Sequence, residues 1–539
     1  MGRLLSVLAV TGLAMCGCGE IDGGDDCVFT GLETTSAVDE AVAAGDDVLE
    51  AGDVAVEPHD VATGDDDLAA TDYPACAEGA TTQRITFVHV NDLHASYMLA
   101  GEQGETSWAR VAGYAKAQRA INPYTIFTDG GDDHEKGAIA EQLSGGHSTI
   151  EAVRAMNFDV RVIGNHDFAW GPEELLEFTH DDHAEVLCSN TRYLGEEPEA
   201  WGAVPWAEIQ VGCVRVGFFG LHPHPYNELN ESYEGPYFPG NTDFETRYDY
   251  ETLVREILEE HRSGVDYVVM LSHLGAGTDR ELAEAVDGID LILGAHSHTT
   301  MAGPEVVGDT RIVQCGADGL FIGRVDVDFD LTEASSQVGY ELVLNLEGAV
   351  DADPATQAAI EDIVNEFAPL SGEPAARVKG GARSIAEVAA LGALQVAQAD
   401  AALIWNETIW TGWAPGGLSV QQMLDIFKVE RQPAGTSGFS SLQTVEVDGG
   451  VLGQIASSVP AGFAYVGPAA PESGRTYVLA VQKGPAMNPS RFFGEGVAFG
   501  APGFVSEMWY VMYRYGAERL LNCTYIDSDE TFEDCGWPE

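Results

Sequence analysis

Seven residues of the chain are hard or borderline metal donors, and each stands just past a short apolar run: Asp92, His94, Asp132, Asn165, His273, His296 and His298. They offer carboxylate, amide and imidazole but no thiolate, a set that suits zinc, manganese or a similar divalent ion. Asp92/His94 and His296/His298 are i, i+2 pairs, which an extended backbone projects to one side. Seven donors exceed the four of a single tetrahedral zinc, so two metals sharing a carboxylate is the natural reading. A pair about 3.5–4 Å apart is the usual arrangement in phosphatases and nucleases.

The runs that must position these donors read as buried parallel strands. Residues 84–90 (RITFVHV) end at Asn91-Asp92-Leu93-His94, and 124–129 (YTIFTD) at Gly130-Gly131-Asp132. Residues 159–163 (DVRVI) end at Gly164-Asn165-His166-Asp167, 266–271 (DYVVML) at Ser272-His273, and 290–294 (DLILG) at Ala295-His296-Ser297-His298. The C-terminal edge of an open α/β sheet is where ligands collect. Helix-patterned segments at 108–119 and 250–261 alternate with the strands, which predicts a layered α/β fold. Residues 207–220, with Gly212 at the turn, predict an added antiparallel hairpin. The 159–167 stretch fits strand-turn-helix, placing His166 near a helix start whose dipole favours phosphate. His89, His180, His183, His222, His224 and His261 are read as structural, and His134 as intermediate because it follows Asp132 by two positions.

In chain order, DxH, GD, GNHD, a lone His after a strand and a closing HxH resemble the calcineurin-like metallophosphoesterases. More narrowly, the chain from about Arg84 onward is similar to the 5'-nucleotidase/UDP-sugar hydrolase family. The resemblance implies an α/β fold class: a layered metallophosphoesterase β-sandwich flanked by helices, plus a smaller α/β C-terminal domain. It implies two divalent ions, one on Asp92, His94, Asp132 and His298, the other on Asp132, Asn165, His273 and His296, with Asp132 bridging. His166 would be the catalytic imidazole facing the phosphoryl group. The implied reaction is hydrolysis of nucleotide-type phosphate esters by attack of metal-bound water. The alternatives are phosphodiesterase or sulfur-ester hydrolysis on the same scaffold, or a metal-loaded binding protein with reduced catalysis.

Two departures from the family pattern stand out. The family commonly reads GNHEFDxG, its acidic residue three after the histidine forming a dyad with it, and here that position is Ala169. Asp167 or Asp133 is then the candidate acidic partner, or His166 works unassisted. In the C-terminal part, the family's NGGGIR-like loop is Asn406-Glu407-Thr408-Ile409-Trp410-Thr411, so the usual arginine is Thr411. An aromatic that normally follows the next helix falls at Val429. Asn406, Trp410, Arg431 and Phe493 are the candidate substrate contacts, and Trp405, Trp410, Trp413 and Phe493 the aromatics able to stack on a base. Lys136, in the loop after Asp132, is a solvated lysine or a phosphate contact.

The 539 residues carry 87 Asp and Glu against 26 Lys and Arg, a net charge of −61. That balance argues against nucleic-acid or anionic-membrane binding through a basic surface. It would also repel anionic phosphate esters, so the metals must supply the local attraction. The expected partner is a small-molecule phosphate ester, nucleotide in type, with no protein partner.

Residues 1–18 read as a lipoprotein-type signal peptide, with Arg3 as the charged head, 4–13 as an apolar core too short to span a bilayer, and Cys18 as the acylated residue. An ordinary cleaved signal is the alternative. The expected location is exported, periplasmic or cell-surface, with the membrane touched only through a lipid anchor. Residues 19–80 are an acidic, disordered linker unable to offset its ordering entropy. The phosphoesterase domain is expected over 81–348, a connecting helix over 349–372, and the C-terminal domain over 373–539. Cys523 and Cys535 are expected to bond and Cys27 and Cys76 are a possible pair, while Cys188, Cys213 and Cys315 are expected buried.

Overall fold

The computed structural model describes residues 73–531, apart from 99–103, 181–182, 196–199, 224–242, 370, 373, 382 and 428–439. The signal peptide, the linker up to residue 72, Val429, Arg431, His224 and Cys535 therefore lie outside the described residues. Among the described residues, no helix is long and apolar enough to cross a membrane.

Two six-stranded mixed sheets form the first part of the molecule. The first runs Ser335–Leu344, Phe321–Asp330, Thr82–Val90, Thr125–Asp129, Val160–Val162, Glu185–Leu187, parallel from Thr82–Val90 onward and antiparallel on the other side. The second runs Glu305–Val307, Thr310–Val313, Leu291–Gly294, Tyr267–Ser272, Val214–Leu221, Ala207–Val211, with the inner four strands parallel. The expected hairpin is the pair Ala207–Val211 and Val214–Leu221, turning at Gly212 with φ 58°.

The sheets face each other, and the period-two alternation of side chains explains why their strands read as unbroken apolar runs. Ile85, Phe87 and Ile126 point into the inter-sheet core with Phe218, Val269, Leu271 and Leu293, while Val88, Val90 and Phe127 point outward. Phe87 meets Phe218 edge-on at 6.4 Å, and Tyr267 meets Phe329 at 5.2 Å. The outer face of the first sheet is covered by helices Ser107–Ile121 and His147–Met156, on which helix Pro354–Phe367 packs in turn. Helices Tyr250–His261 and Ala276–Ala285 bury the outer face of the second, through Leu253, Val254, Ile257 and Leu282 against Phe219, Val268 and Met270.

Beyond Pro354–Phe367, a five-stranded sheet runs Phe463–Val466, Ala401–Trp405, Thr476–Gln482, Leu442–Asp448, Gly503–Ser506. It too is buried on both faces: Ala402 and Ile404 pack toward helices Ile385–Val396 and Met508–Leu521, and Ala401 and Leu403 toward Leu452 and Ile455 of helix Gly449–Ser457. Ser384 opens the first of these helices with a capping box completed by Glu387.

Two expectations need correcting. Cys213 is half-buried rather than buried, and Cys76 does not pair with Cys27: Cys76 and Cys213 are joined to each other across 137 residues of sequence. The disulfide ties the chain before the first strand to the hairpin turn, where Gln83 also bonds Val211 and Cys213. Cys188 and Cys315 are buried and free, and Cys523 is disulfide-bonded. His166 does not begin an α-helix either. It opens a single 3-10 turn, His166–Phe168, and the α-helix starts only at Pro172, after Gly171 with φ 115°. A turn that short carries no helix dipole worth invoking.

Candidate metal centre and its surroundings

The five strand ends meet at one edge of the sandwich, three from the first sheet and two from the second. Close approach there demands glycine: a Cβ on Gly164 would lie 2.2 Å from Asp132 Oδ1, and one on Gly131 would lie 2.6 Å from Gly164 N. The GGD and GNH turns can interlock only without those side chains.

Two clusters of donors result, Asp92–His94–His298 and Asp132–His273–His296, each with its ligating atoms within 4.8 Å of one another. Within the first, His298 Nε2 lies 3.3 Å from Asp92 Oδ1 and 3.1 Å from His94 Nε2. In the second, His273 Nε2 lies 2.9 Å from Asp132 Oδ2. The clusters abut, because His273 Nε2 is also 3.9 Å from Asp92 Oδ1. Asn165, which completes the expected seven, places its buried Oδ1 without a hydrogen-bond partner among the described residues. A buried amide oxygen left so is costly unless something else satisfies it. Hard oxygen and imidazole donors with one such orphan fit a pair of divalent cations.

The backbone is bent to this purpose. Asp92, His94, Asp132, His296 and His298 all have positive φ, between 46° and 71°. Sparsely populated conformations of this kind cost on the order of 1–3 kcal/mol each and persist where the surroundings impose them. The imidazoles are aimed from behind: His273 Nδ1 bonds Gly130 O at 2.7 Å and His94 Nδ1 bonds His134 O at 3.2 Å, leaving both Nε2 atoms toward the pocket. Asn91 donates to Asp92 Oδ2 at 2.6 Å, and the His296 N–H donates to the same oxygen at 2.9 Å.

The electrostatics reflect crowded, buried charge. Burial would raise the Asp132 carboxyl, but the His273 and His166 imidazoles reverse this and hold it well below the usual range. His273 shows the reciprocal effect: burial lowers it, yet Asp132 and Asp92 carry it up to about 10. His296 is pushed down to about 3 by burial and by His273, and burial with the Lys136 charge holds His94 well below its ordinary value. His94 and His296 are thus neutral, as a cation requires of its imidazole ligands, while the His273 proton shared with Asp132 is one a bound cation would have to displace.

His166 stands at the rim of the pocket. Its backbone N–H donates to Asp132 Oδ1 at 2.7 Å, and its Nε2 is 4.0 Å from Asp132 Oδ2. The acidic partner expected at Asp167 or Asp133 is neither. Asp167 accepts the backbone N–H groups of Gly164, Asp132, Asp133 and His134 and the Nδ1 of His134 at 2.9 Å, so it pins the two loops together from beneath. Asp133 faces Arg161 Nη1 at 3.9 Å in the buried layer below. The carboxylate on His166 Nδ1 belongs to Glu135, at 2.5 Å. Glu135 is the residue the sequence reading missed. Its one signal was the dense titratable run Asp132-Asp133-His134-Glu135-Lys136.

The expected substrate contacts divide. Phe493 joins an aromatic cluster at the edge of the C-terminal sheet: its ring is 5.3 Å from Phe463, which lies nearly parallel to Trp405 at 6.4 Å, and Phe492 meets Trp405 edge-on at 5.0 Å. Trp410, 46% exposed, is elsewhere, with Lys136 Nζ 5.8 Å from its ring centre. Asn406 is exposed, its backbone N–H bonded to Gly462 O. Trp413 packs against the core, away from that cluster. Gln421, on helix Val420–Ile426, bonds both Gly137 O and Ile139 N. The C-terminal part thus touches the loop that carries Glu135 and Lys136.

Residues 85–300 match the family model for the calcineurin-like phosphoesterases. The chain is 27% identical over 325 residues to the trifunctional nucleotide phosphoesterase protein YfkN of Bacillus subtilis, covering 54% of this chain and 21% of that one. It is 26% identical over 309 residues to a snake venom 5'-nucleotidase of Naja atra, covering 51% and 56%. It therefore spans less than two thirds of the length of these curated relatives. The fold matches the 5'-nucleotidase precursor of Thermus thermophilus with a TM-score of 0.60 at 21% identity, over 81% of this chain and 96% of that one. The class is defined by these matches and the double donor cluster: residues 85–300 are a calcineurin-like metallophosphoesterase domain. Within that class it is related to the two-domain 5'-nucleotidases.

Proposed function

We propose that the protein is an exported hydrolase of nucleotide-type phosphate esters, with Asp132 shared between two divalent ions. The observation that carries this reading is the convergence of two donor clusters, with His166 Nε2 4.0 Å from Asp132 and a buried, unpartnered Asn165 Oδ1 on the adjoining turn. Asp92, His94 and His298 would hold one ion, Asn165, His273 and His296 the other. Divalent ions, when bound, supply positive charge for a phosphoryl group and lower the pKa of water.

The chain's own groups do the rest. Asn165 offers an oxygen without charge, which limits the negative charge around the second set. His166 turns Nε2 toward Asp132, where it can stabilise a phosphoryl oxygen or the leaving oxygen as charge develops. The Trp405, Phe463, Phe492 and Phe493 cluster offers an apolar surface for a base in place of the family's arginine loop. The names of the relatives favour nucleotides, and the Cys76–Cys213 disulfide favours an oxidising compartment.

The test is a panel of nucleoside monophosphates, sugar nucleotides and generic phosphate esters, offered to protein loaded with Mn, Zn or Co. Turnover of nucleotides ahead of generic esters supports the reading. No turnover of any ester by fully metallated protein would replace it with the binding-protein alternative.

A further inference from the structure

We infer that Glu135 is the positioning residue for His166, standing in for the acidic group that Ala169 lacks; the inference rests on the phosphoesterase reading above. Glu135 is fully buried, and its Oε2 sits 2.5 Å from His166 Nδ1. Asp132 lies 4.0 Å from the other ring nitrogen, Nε2, and Asp167 is engaged by four backbone N–H groups and His134, while Asp133 lies 3.9 Å from Arg161 Nη1.

Glu135 reaches the ring through an unusual backbone. It and Lys136 both adopt left-handed conformations, with φ 70° and 74°. That turn is held from below: the Glu141 carboxylate accepts the Glu135 N–H at 2.8 and 3.0 Å. Glu141 also accepts Trp170 Nε1–H at 2.6 Å, and Trp170 follows His166 in the same loop. A closed chain of contacts therefore runs Trp170, Glu141, Glu135, His166. With Nδ1 fixed on Glu135 and the His94 ring packed edge-on at 5.0 Å, the ring presents Nε2 to the pocket. An imidazole held by a carboxylate on one nitrogen keeps a single tautomer and orientation for the other. The same turn brings Lys136 over Trp410 and carries Gly137 and Ile139 to Gln421. One loop thus serves both the metal pocket and the C-terminal part.

The experiment compares wild type with Glu135→Gln and Glu135→Asp, each loaded with manganese. Two substrates are used: a nitrophenyl phosphate, whose leaving group needs little help, and a nucleoside monophosphate, whose alkoxide leaving group leans on His166. For Glu135→Gln, kcat on the nucleotide should fall about 100-fold, the scale of a lost general acid-base contribution, with KM nearly constant. The nitrophenyl ester should lose far less, and Glu135→Asp should recover part of the deficit. Bound manganese and the thermal midpoint should stay near wild-type values. Selective 15N-histidine labelling should show wild-type His166 protonated on Nδ1, against Glu135, as well as on Nε2, and a shifted Nδ1 resonance in Glu135→Gln.

Equal losses on both esters together with lost manganese would make Glu135 a purely structural residue and overturn the inference. So would wild-type kinetics in Glu135→Gln, which would leave the phosphoesterase reading standing. A wild-type protein that cleaves neither ester would instead bring down that reading, and the inference with it.

Discussion

The pocket at the sandwich edge and the aromatic cluster at the C-terminal sheet are both built at strand ends, yet they differ in how tightly the chain specifies them. In the pocket five of the seven donors are turned by a left-handed backbone, and His273, His94 and Asp92 are held from behind by a named partner. In the cluster the rings rest on one another and few polar groups direct them. Gln482 is one such group among the described residues: it bonds the Trp405 N–H and Thr408 and so fixes the start of the 406–411 loop. The contrast teaches that the donor pocket is tightly defined, while the proposed base-binding surface is apolar with few hydrogen-bonding groups. Such a site should discriminate weakly between bases.

The comparison can be broken first in the pocket. Replacing His298 with Ala should remove a donor of the first cluster and lower ester hydrolysis on the order of 10³-fold, as when a principal stabiliser of developing charge is lost. Steady-state kinetics at saturating manganese checks this, and near-wild-type turnover would contradict it. In the aromatic cluster the effect should be smaller and confined to KM. Phe493→Ala should raise KM for nucleoside monophosphates about 5- to 150-fold, the range of one lost stacking contact of ~1–3 kcal/mol, and leave nitrophenyl phosphate unaffected. A matched change for both substrates would show that the ring only packs.

Away from both sites, Asp353 caps helix Pro354–Phe367, accepting the Thr356 N–H. Asp353→Ala should cost about 1 kcal/mol of stability by denaturant titration, with metal binding unchanged. The smallest effect concerns His147, whose hydrogen bonds to Glu151 and Glu177 raise it to about 10. A pKa raised on folding stabilises fully below the unfolded value of roughly 6.5 and is lost as pH climbs toward the folded one. The thermal midpoint of wild type should therefore fall more between pH 6 and pH 10 than that of His147→Asn.

How far the sequence could be read follows the same division. The five strands were legible because each is an apolar run ended by a glycine or donor residue, and double-sided burial makes such runs continuous. The seven donors followed from position at those ends. The partition of the strands between two sheets was not legible, since an apolar run carries no label for its neighbours. Glu135 escaped because a left-handed turn three residues past Asp132 has no periodic signature and the expected partners were the carboxylates next in sequence to His166 and Asp132. Cys76 and Cys213 escaped because spacing says nothing about a contact made by the hairpin folding back. In the C-terminal part, Trp405, Phe463 and Phe493 come from well-separated segments, so only the assembled sheet reveals them as one surface.

The central claim is that scattered donors converge on two adjoining cation sites with Asp132 between them. Counting manganese per chain by elemental analysis after equilibrium dialysis, in wild type and in Asp132→Ala, tests it most directly. Two ions in wild type and a loss of tight binding in the variant are predicted. A wild type that binds none, or a variant that still retains two, would contradict it.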